Sequence, residues 1–127
     1  MATILIVDDD VDLVESFSEV LKGKGFAVSG AHTGEEGVRK AQTEKPDLIL
    51  LDVMMAKDNE GFEIAQQLKR EPATQHIPII LITGIRKAKQ LPFSFEPDDD
   101  WLPVKAVLEK PIAPDLLLKH IAAALKT

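Results

Sequence analysis

Asp8 and Asp9 follow the apolar run Ile4-Leu5-Ile6-Val7, Asp52 follows Leu48-Ile49-Leu50-Leu51, and Lys110 stands shortly after Ala106-Val107-Leu108. Short apolar runs of this kind read as strands buried on both faces of a parallel sheet. In an open parallel sheet, ligands bind just outside the carboxyl ends of the strands. Three widely separated stretches of chain therefore direct charge at one rim. Crowded carboxylates repel one another unless a cation joins them, and one lysine does not balance three. The set asks for a divalent metal and an anionic group.

The elements that must hold these residues alternate between strand and helix. Val11, Val14, Phe17, Val20 and Leu21 recur at helical spacing, and Gly23 and Gly25 end that helix. Asp10 and Asp12 support its start, with Asp12 and Glu15 favourable near its positive end. Phe26-Ala27-Val28 reads as a second strand. Thr33 followed by Glu36 is a capping box for a helix running to about Glu44 despite Gly37, and Pro46 breaks it. Asp47–Leu51 is the central strand. After a polar loop, a helix from Phe62 to about Arg70 presents Phe62, Ala65 and Leu68 on one face.

Ile77–Ile82 gives a fourth strand ending at Thr83, with Pro78 near its start, where a ladder N–H is dispensable. Ala106–Leu108 is a short fifth strand, and Pro114 opens a last helix carrying Leu116, Leu117, Ile121, Ala124 and Leu125. Between Thr83 and Ala106, Pro92, Pro97, Pro103 and the run Asp98-Asp99-Asp100 stand where a full helix is expected. That stretch reads as an irregular segment replacing much of the helix, its acidic run solvated rather than a second metal site. Five strands alternating with helices imply an α/β fold with right-handed crossovers and helices on both sheet faces.

Composition narrows the function. The 127 residues suit one domain, and apolar (45%) and charged (28%) fractions are those of a soluble globular protein. A net charge of -6 with scattered Lys and Arg argues against nucleic acid as a direct partner. The absence of cysteine excludes disulfides, thiolate metal sites and a Cys nucleophile, and fits a reducing cytoplasm. No apolar stretch approaches bilayer-spanning length, and no basic n-region precedes the first strand. The expectation is a cytoplasmic, single-domain protein over residues 1–127, without membrane insertion and without an output domain. His32, His76 and His120 lack partners at ligand spacing and read as neither phosphodonors nor metal ligands.

Four fragments in order, Ile4–Asp10, Leu50–Met55, Ile80–Gly84 and Leu108–Pro111, resemble the receiver domain of bacterial two-component response regulators over nearly the whole chain. The resemblance implies a flavodoxin-like, three-layer, doubly wound parallel sheet of five strands in the order 2-1-3-4-5. It implies that Asp52 accepts a phosphoryl group from a histidine kinase or a histidine phosphotransfer protein, and that the signal passes to a downstream protein, with a weak homodimer possible. Pro111 would follow a cis peptide bond. A carboxylate oxygen can attack phosphorus if the transferring group is neutralised and held in line. Mg²⁺, with Mn²⁺ as a substitute, fits two carboxylates plus water. Asp9 and Asp52 would ligate it with the backbone carbonyl of Met54, and Asp8 through a bound water. Lys110 would pair with one phosphoryl oxygen and Thr83 would donate its hydroxyl to another.

The chain also departs from that pattern. Ala56 stands where the family usually has proline, and the loop after Asp52 is one residue longer. Val107 occupies the aromatic switch position, three residues before Lys110, so no ring can swing inward when Thr83 moves. Met54 and Ile85, two residues after Asp52 and Thr83, are expected to flank the site, and neither can position an attacking water. Apart from its own phosphorylation and dephosphorylation, the protein is not expected to be an enzyme. A Mg²⁺-dependent phosphohydrolase of the haloacid dehalogenase type would need an aspartate where Met54 stands. A receiver-like interaction module that has lost phosphorylation is the other alternative, suggested by Val107 and opposed by the intact set Asp8, Asp9, Asp52, Thr83 and Lys110.

Overall fold

The apolar runs become the strands of one parallel sheet in a computed structural model that describes residues 2–52, 60–84, 106–110 and 112–125. For residues 60–62, 83, 84, 106, 107, 109 and 110 the description covers the backbone alone. The elements are β1 (Thr3–Val7), α1 (Val11–Gly23), β2 (Ala27–Ala31), α2 (Gly34–Glu44), β3 (Leu48–Asp52), α3 (Glu60–Arg70), β4 (Ile79–Gly84), β5 (Ala106–Lys110) and α4 (Pro114–Leu125). The sheet has five strands in the order β2-β1-β3-β4-β5, every neighbouring pair parallel. This is the expected doubly wound order. The irregular segment expected over 86–105 lies outside the described residues.

Strand period explains why both faces are covered. Along β1, Leu5 and Val7 enter one core with Val38 and Ala41 of α2 and Ala65 and Leu68 of α3. Ile4 and Ile6 point the other way and join Val14 and Leu21 of α1 and Leu117 and Ile121 of α4. Residues 48–51 and 79–82 are at most 1% exposed, so the central strands contact helices on both sides. Each such Leu or Ile contributes about 1.5–3 kcal/mol by leaving water. Among the described residues, no helix is long and apolar enough to cross a membrane.

Helix ends follow their capping chemistry. Asp10 caps α1, its carboxylate accepting from Leu13 N at 3.1 Å, with Asp12 in the first turn. The helix stops at Gly23, and Gly25 adopts φ +92°, a conformation that glycine takes without Cβ strain. Thr33 caps α2 by accepting from Glu36 N at 3.1 Å. The Glu36 carboxylate reaches back one residue beyond the usual box, taking His32 N at 2.8 Å. Lys45 closes α2 in the left-handed region at φ 48°, and Pro46 follows.

Some boundaries differ from the sequence expectation. The second strand is not Phe26–Val28 but Ala27–Ala31, because its register against β1 pairs Thr3 with Ala27 and continues to Val7 with Ala31. The fourth begins at Ile79 rather than Ile77. Pro78 gives its carbonyl to Ile49 N at 3.0 Å but has no N–H to continue the ladder downward. Asp52 and Lys110 are the last residues of β3 and β5 rather than residues beyond them.

Candidate functional site

The strand order creates the crevice. β1 lies between β2 and β3, so the chain leaves β1 toward one edge and returns to build β3 on its other side. Ligands gather outside the carboxyl ends of strands at such a reversal. The register pairs Val7 with Leu51, which brings the next residues, Asp8 and Asp52, side by side at the end of neighbouring strands. Both are buried, at 1% and 3% exposure, whereas Asp9 is exposed.

Asp8, Asp9 and Asp52 each offer a carboxylate oxygen within 4.8 Å of the others. Ligand oxygens on opposite sides of Mg²⁺ stand about 4 Å apart, twice a bond of roughly 2.1 Å. The cluster is thus of the size one cation gathers, directly or through a water. Two buried acids beside an exposed one also match a hard ion that keeps part of its hydration. The donor set fits.

Local bonds hold this rim. Asp8 N donates to Ala31 O at 3.0 Å, one step past the β1–β2 pairs, and Asp8 Oδ1 accepts from Asp10 N at 2.9 Å. The imidazole Nδ1 of His32 stands 3.2 Å from Asp8 O. The sequence, which does not point to His32 as a ligand, carries no local signal of this contact, which spans 24 positions and joins two loops. Close by, the His32 amide donating to Glu36 holds that carboxyl below its ordinary value. Burial opposes the shift, and the charges of Lys40, His32 and Arg39 reinforce it.

The backbone brings two of the remaining expected residues, Thr83 and Lys110, to the same rim. Thr83 is the penultimate residue of β4 and pairs with Glu109, and Gly84 pairs with Lys110, the last of β5. Val107 lies lower in β5, opposite Leu81. Met54, Ile85, Ala56 and Pro111 lie outside the described residues. His76 and His120 lie away from the strand ends, in the connection after α3 and within α4.

Comparison with known proteins agrees with this architecture. The response regulator receiver domain family matches residues 4–122. Protein PilH of Pseudomonas aeruginosa is 35% identical over 98% of this chain and 98% of its own length. PhoP of Bacillus subtilis, an alkaline phosphatase synthesis transcriptional regulatory protein, is 42% identical over 64% of this chain but only 32% of its own length. Among solved structures, a CheY-like receiver domain protein from Methanospirillum hungatei superposes with a TM-score of 0.79 at 27% identity, covering 99% of this chain and 94% of that one. The chemotaxis response regulator CheY4 of Vibrio cholerae gives 0.78 at 26% identity, covering 98% and 99%. Receiver domains are phosphoacceptor modules of two-component signalling that bind Mg²⁺ at an acidic pocket, interact with histidine kinases and effectors, and are generally not enzymes. With the family match over nearly its full length and the acidic cluster at the reversal of its sheet, this chain belongs to the response regulator receiver domains.

Proposed function

We propose that residues 1–127 act as a Mg²⁺-dependent receiver domain in which Asp52 is the phosphoacceptor. The observation that carries this reading is the meeting of Asp8, Asp9 and Asp52 within 4.8 Å at the carboxyl ends of β1 and β3. A carboxylate oxygen of Asp52 attacks the phosphorus of a phosphohistidine on a kinase or phosphotransfer protein. The new P–O bond forms as the P–N bond breaks, and the imidazole nitrogen leaves with that electron pair. The product is an acyl phosphate on Asp52.

Asp9 and Asp52, with the Met54 carbonyl, would hold the cation, and Asp8 would hold it through water. When bound, Mg²⁺ or Mn²⁺ supplies the positive charge that lets carboxylates and phosphoryl oxygens share one site. Thr83 and Lys110, brought by β4 and β5 to the same rim, bind two phosphoryl oxygens, the lysine as a compact point charge. Phosphorylation then biases an existing two-state equilibrium read by a protein partner. Because Val107 has no ring to swing, the movement of Thr83 is transmitted without an aromatic rotamer change. The reading is tested with acetyl phosphate and Mg²⁺ followed by intact mass. The wild-type protein gains one phosphoryl group and Asp52→Asn gains none. A wild-type protein that gains no mass refutes it.

A further inference from the structure

β2 ends at Ala31, and the chain turns through His32 and Thr33 into α2. Two hydrogen bonds brace this turn and a third joins it to the acidic rim. Thr33 Oγ1 accepts from Glu36 N at 3.1 Å, Glu36 Oε1 accepts from His32 N at 2.8 Å, and His32 Nδ1 lies 3.2 Å from Asp8 O. A carbonyl oxygen only accepts, so Nδ1 carries the proton and donates. Asp8 N meanwhile donates to Ala31 O at 3.0 Å. The peptide groups on both sides of the Asp8 Cα are therefore tied to the end of β2 and the turn that follows it.

The second tie is the informative one. Asp8 O belongs to the peptide unit joining Asp8 to Asp9, so its direction sets both ψ of Asp8 and φ of Asp9. Those two angles decide where two of the three clustered carboxylates stand relative to Asp52. Groups beyond the ligands commonly orient them and tune affinity in this way. We infer that His32 is a positioning residue for the cation site, holding the Asp8–Asp9 peptide so that both carboxylates face Asp52. The inference rests on the cation-binding reading above. His32 does this from an exposed position and without coordinating the ion. An imidazolium and the Nδ1–H neutral tautomer both carry the required proton, so the tether does not depend on the charge of the ring.

Geometry also supplies the discriminating substitution. Asparagine carries its amide nitrogen one bond beyond Cγ, as histidine carries Nδ1, whereas glutamine carries it one carbon further out. The experiment measures the dissociation constant of Mn²⁺ and of Mg²⁺ for the unphosphorylated full chain, by the signal of free Mn²⁺ and by calorimetry. Wild type, His32→Ala, His32→Gln and His32→Asn are compared, each with a denaturant unfolding curve. Wild type binds; Ala and Gln raise the dissociation constant roughly three- to tenfold, and Asn stays close to wild type. Equal affinity in all four proteins overturns the inference and leaves the receiver reading standing. So does weakening by Asn to the same degree as Ala. A folded wild-type protein that binds neither ion overturns both.

Discussion

The side chain of Val7 occupies the space that a Cβ on Gly37 would need, its two γ-carbons 2.8 Å from that position. Val7 is the last residue of β1 before Asp8, so α2 packs its glycine directly against the strand end that carries the site. Val7 is 1% exposed and stiff at χ1, and cannot move aside cheaply. Gly37→Ala gains about 1 kcal/mol of helix propensity but overpacks a buried branched side chain at a cost of about 1–3 kcal/mol. The expected net effect is a loss of up to about 2 kcal/mol, together with slower phosphorylation as Asp8 shifts. Adding Val7→Ala relieves the clash. A double-mutant cycle from urea unfolding should therefore show strong non-additivity, and simple additivity would contradict the packing argument.

Glu36 gives the fold an acid-side sensitivity. Its carboxyl titrates below the ordinary value, chiefly because the His32 amide donates to the ionised form. A depressed folded-state value means that the unfolded chain binds more protons between the two values. Stability from this group is thus present above the unfolded value and lost as pH falls through the folded one. Glu36→Gln keeps an acceptor but removes the titration. Its unfolding midpoint should vary less with pH below the ordinary carboxylate range than that of wild type. Parallel pH profiles would show that the interaction does not persist in solution.

How much of this was legible in the sequence depended on the range of the interaction that decided each feature. Ile4–Val7, Leu48–Leu51 and Ile79–Ile82 announced themselves because strands buried on both faces must be apolar at every position. The caps at Asp10 and Thr33 were legible because donor and acceptor lie three residues apart. The end of β2 was not, since Ser29 and Gly30 are weak strand formers held by their register against Leu5 and Ile6. The acidic cluster followed from where the strands end. The His32–Asp8 contact and the reason for Gly37 had no local signal, because each joins residues brought together only by the finished fold.

Thr74 provides a test of stability remote from the acidic rim. Its side chain is fully buried in the α3–β4 connection, and its hydroxyl donates to Leu68 O at 2.6 Å, satisfying a carbonyl near the end of α3. Thr74→Val preserves shape but leaves that carbonyl without this donor. A loss of about 1–3 kcal/mol is expected, read as a lower urea midpoint with an unchanged slope. Acetyl phosphate should still load Asp52 at the wild-type rate under conditions where the variant is folded. A variant as stable as wild type would show that the bond contributes nothing net.

On the proposed reading, the lifetime of an acyl phosphate at Asp52 depends on what can deliver water to it. Met54 and Ile85, two residues beyond Asp52 and Thr83 in the sequence, are both apolar. Neither can accept a proton from water or orient it by hydrogen bonding, and in-line hydrolysis of an acyl phosphate needs such orientation. Slow self-dephosphorylation is the expectation. Introducing an amide at Met54→Asn and a carboxylate at Ile85→Glu supplies two groups able to hold the attacking water. The double variant should lose phosphate about tenfold faster or more, within the range a positioned polar group contributes. The rate is followed by intact mass after removal of the donor, with Mg²⁺ held constant. Because loading and loss are measured separately, a lower plateau from poor phosphorylation is distinguished from faster decay. An unchanged decay rate would mean that these two positions do not control access of water to the acyl phosphate.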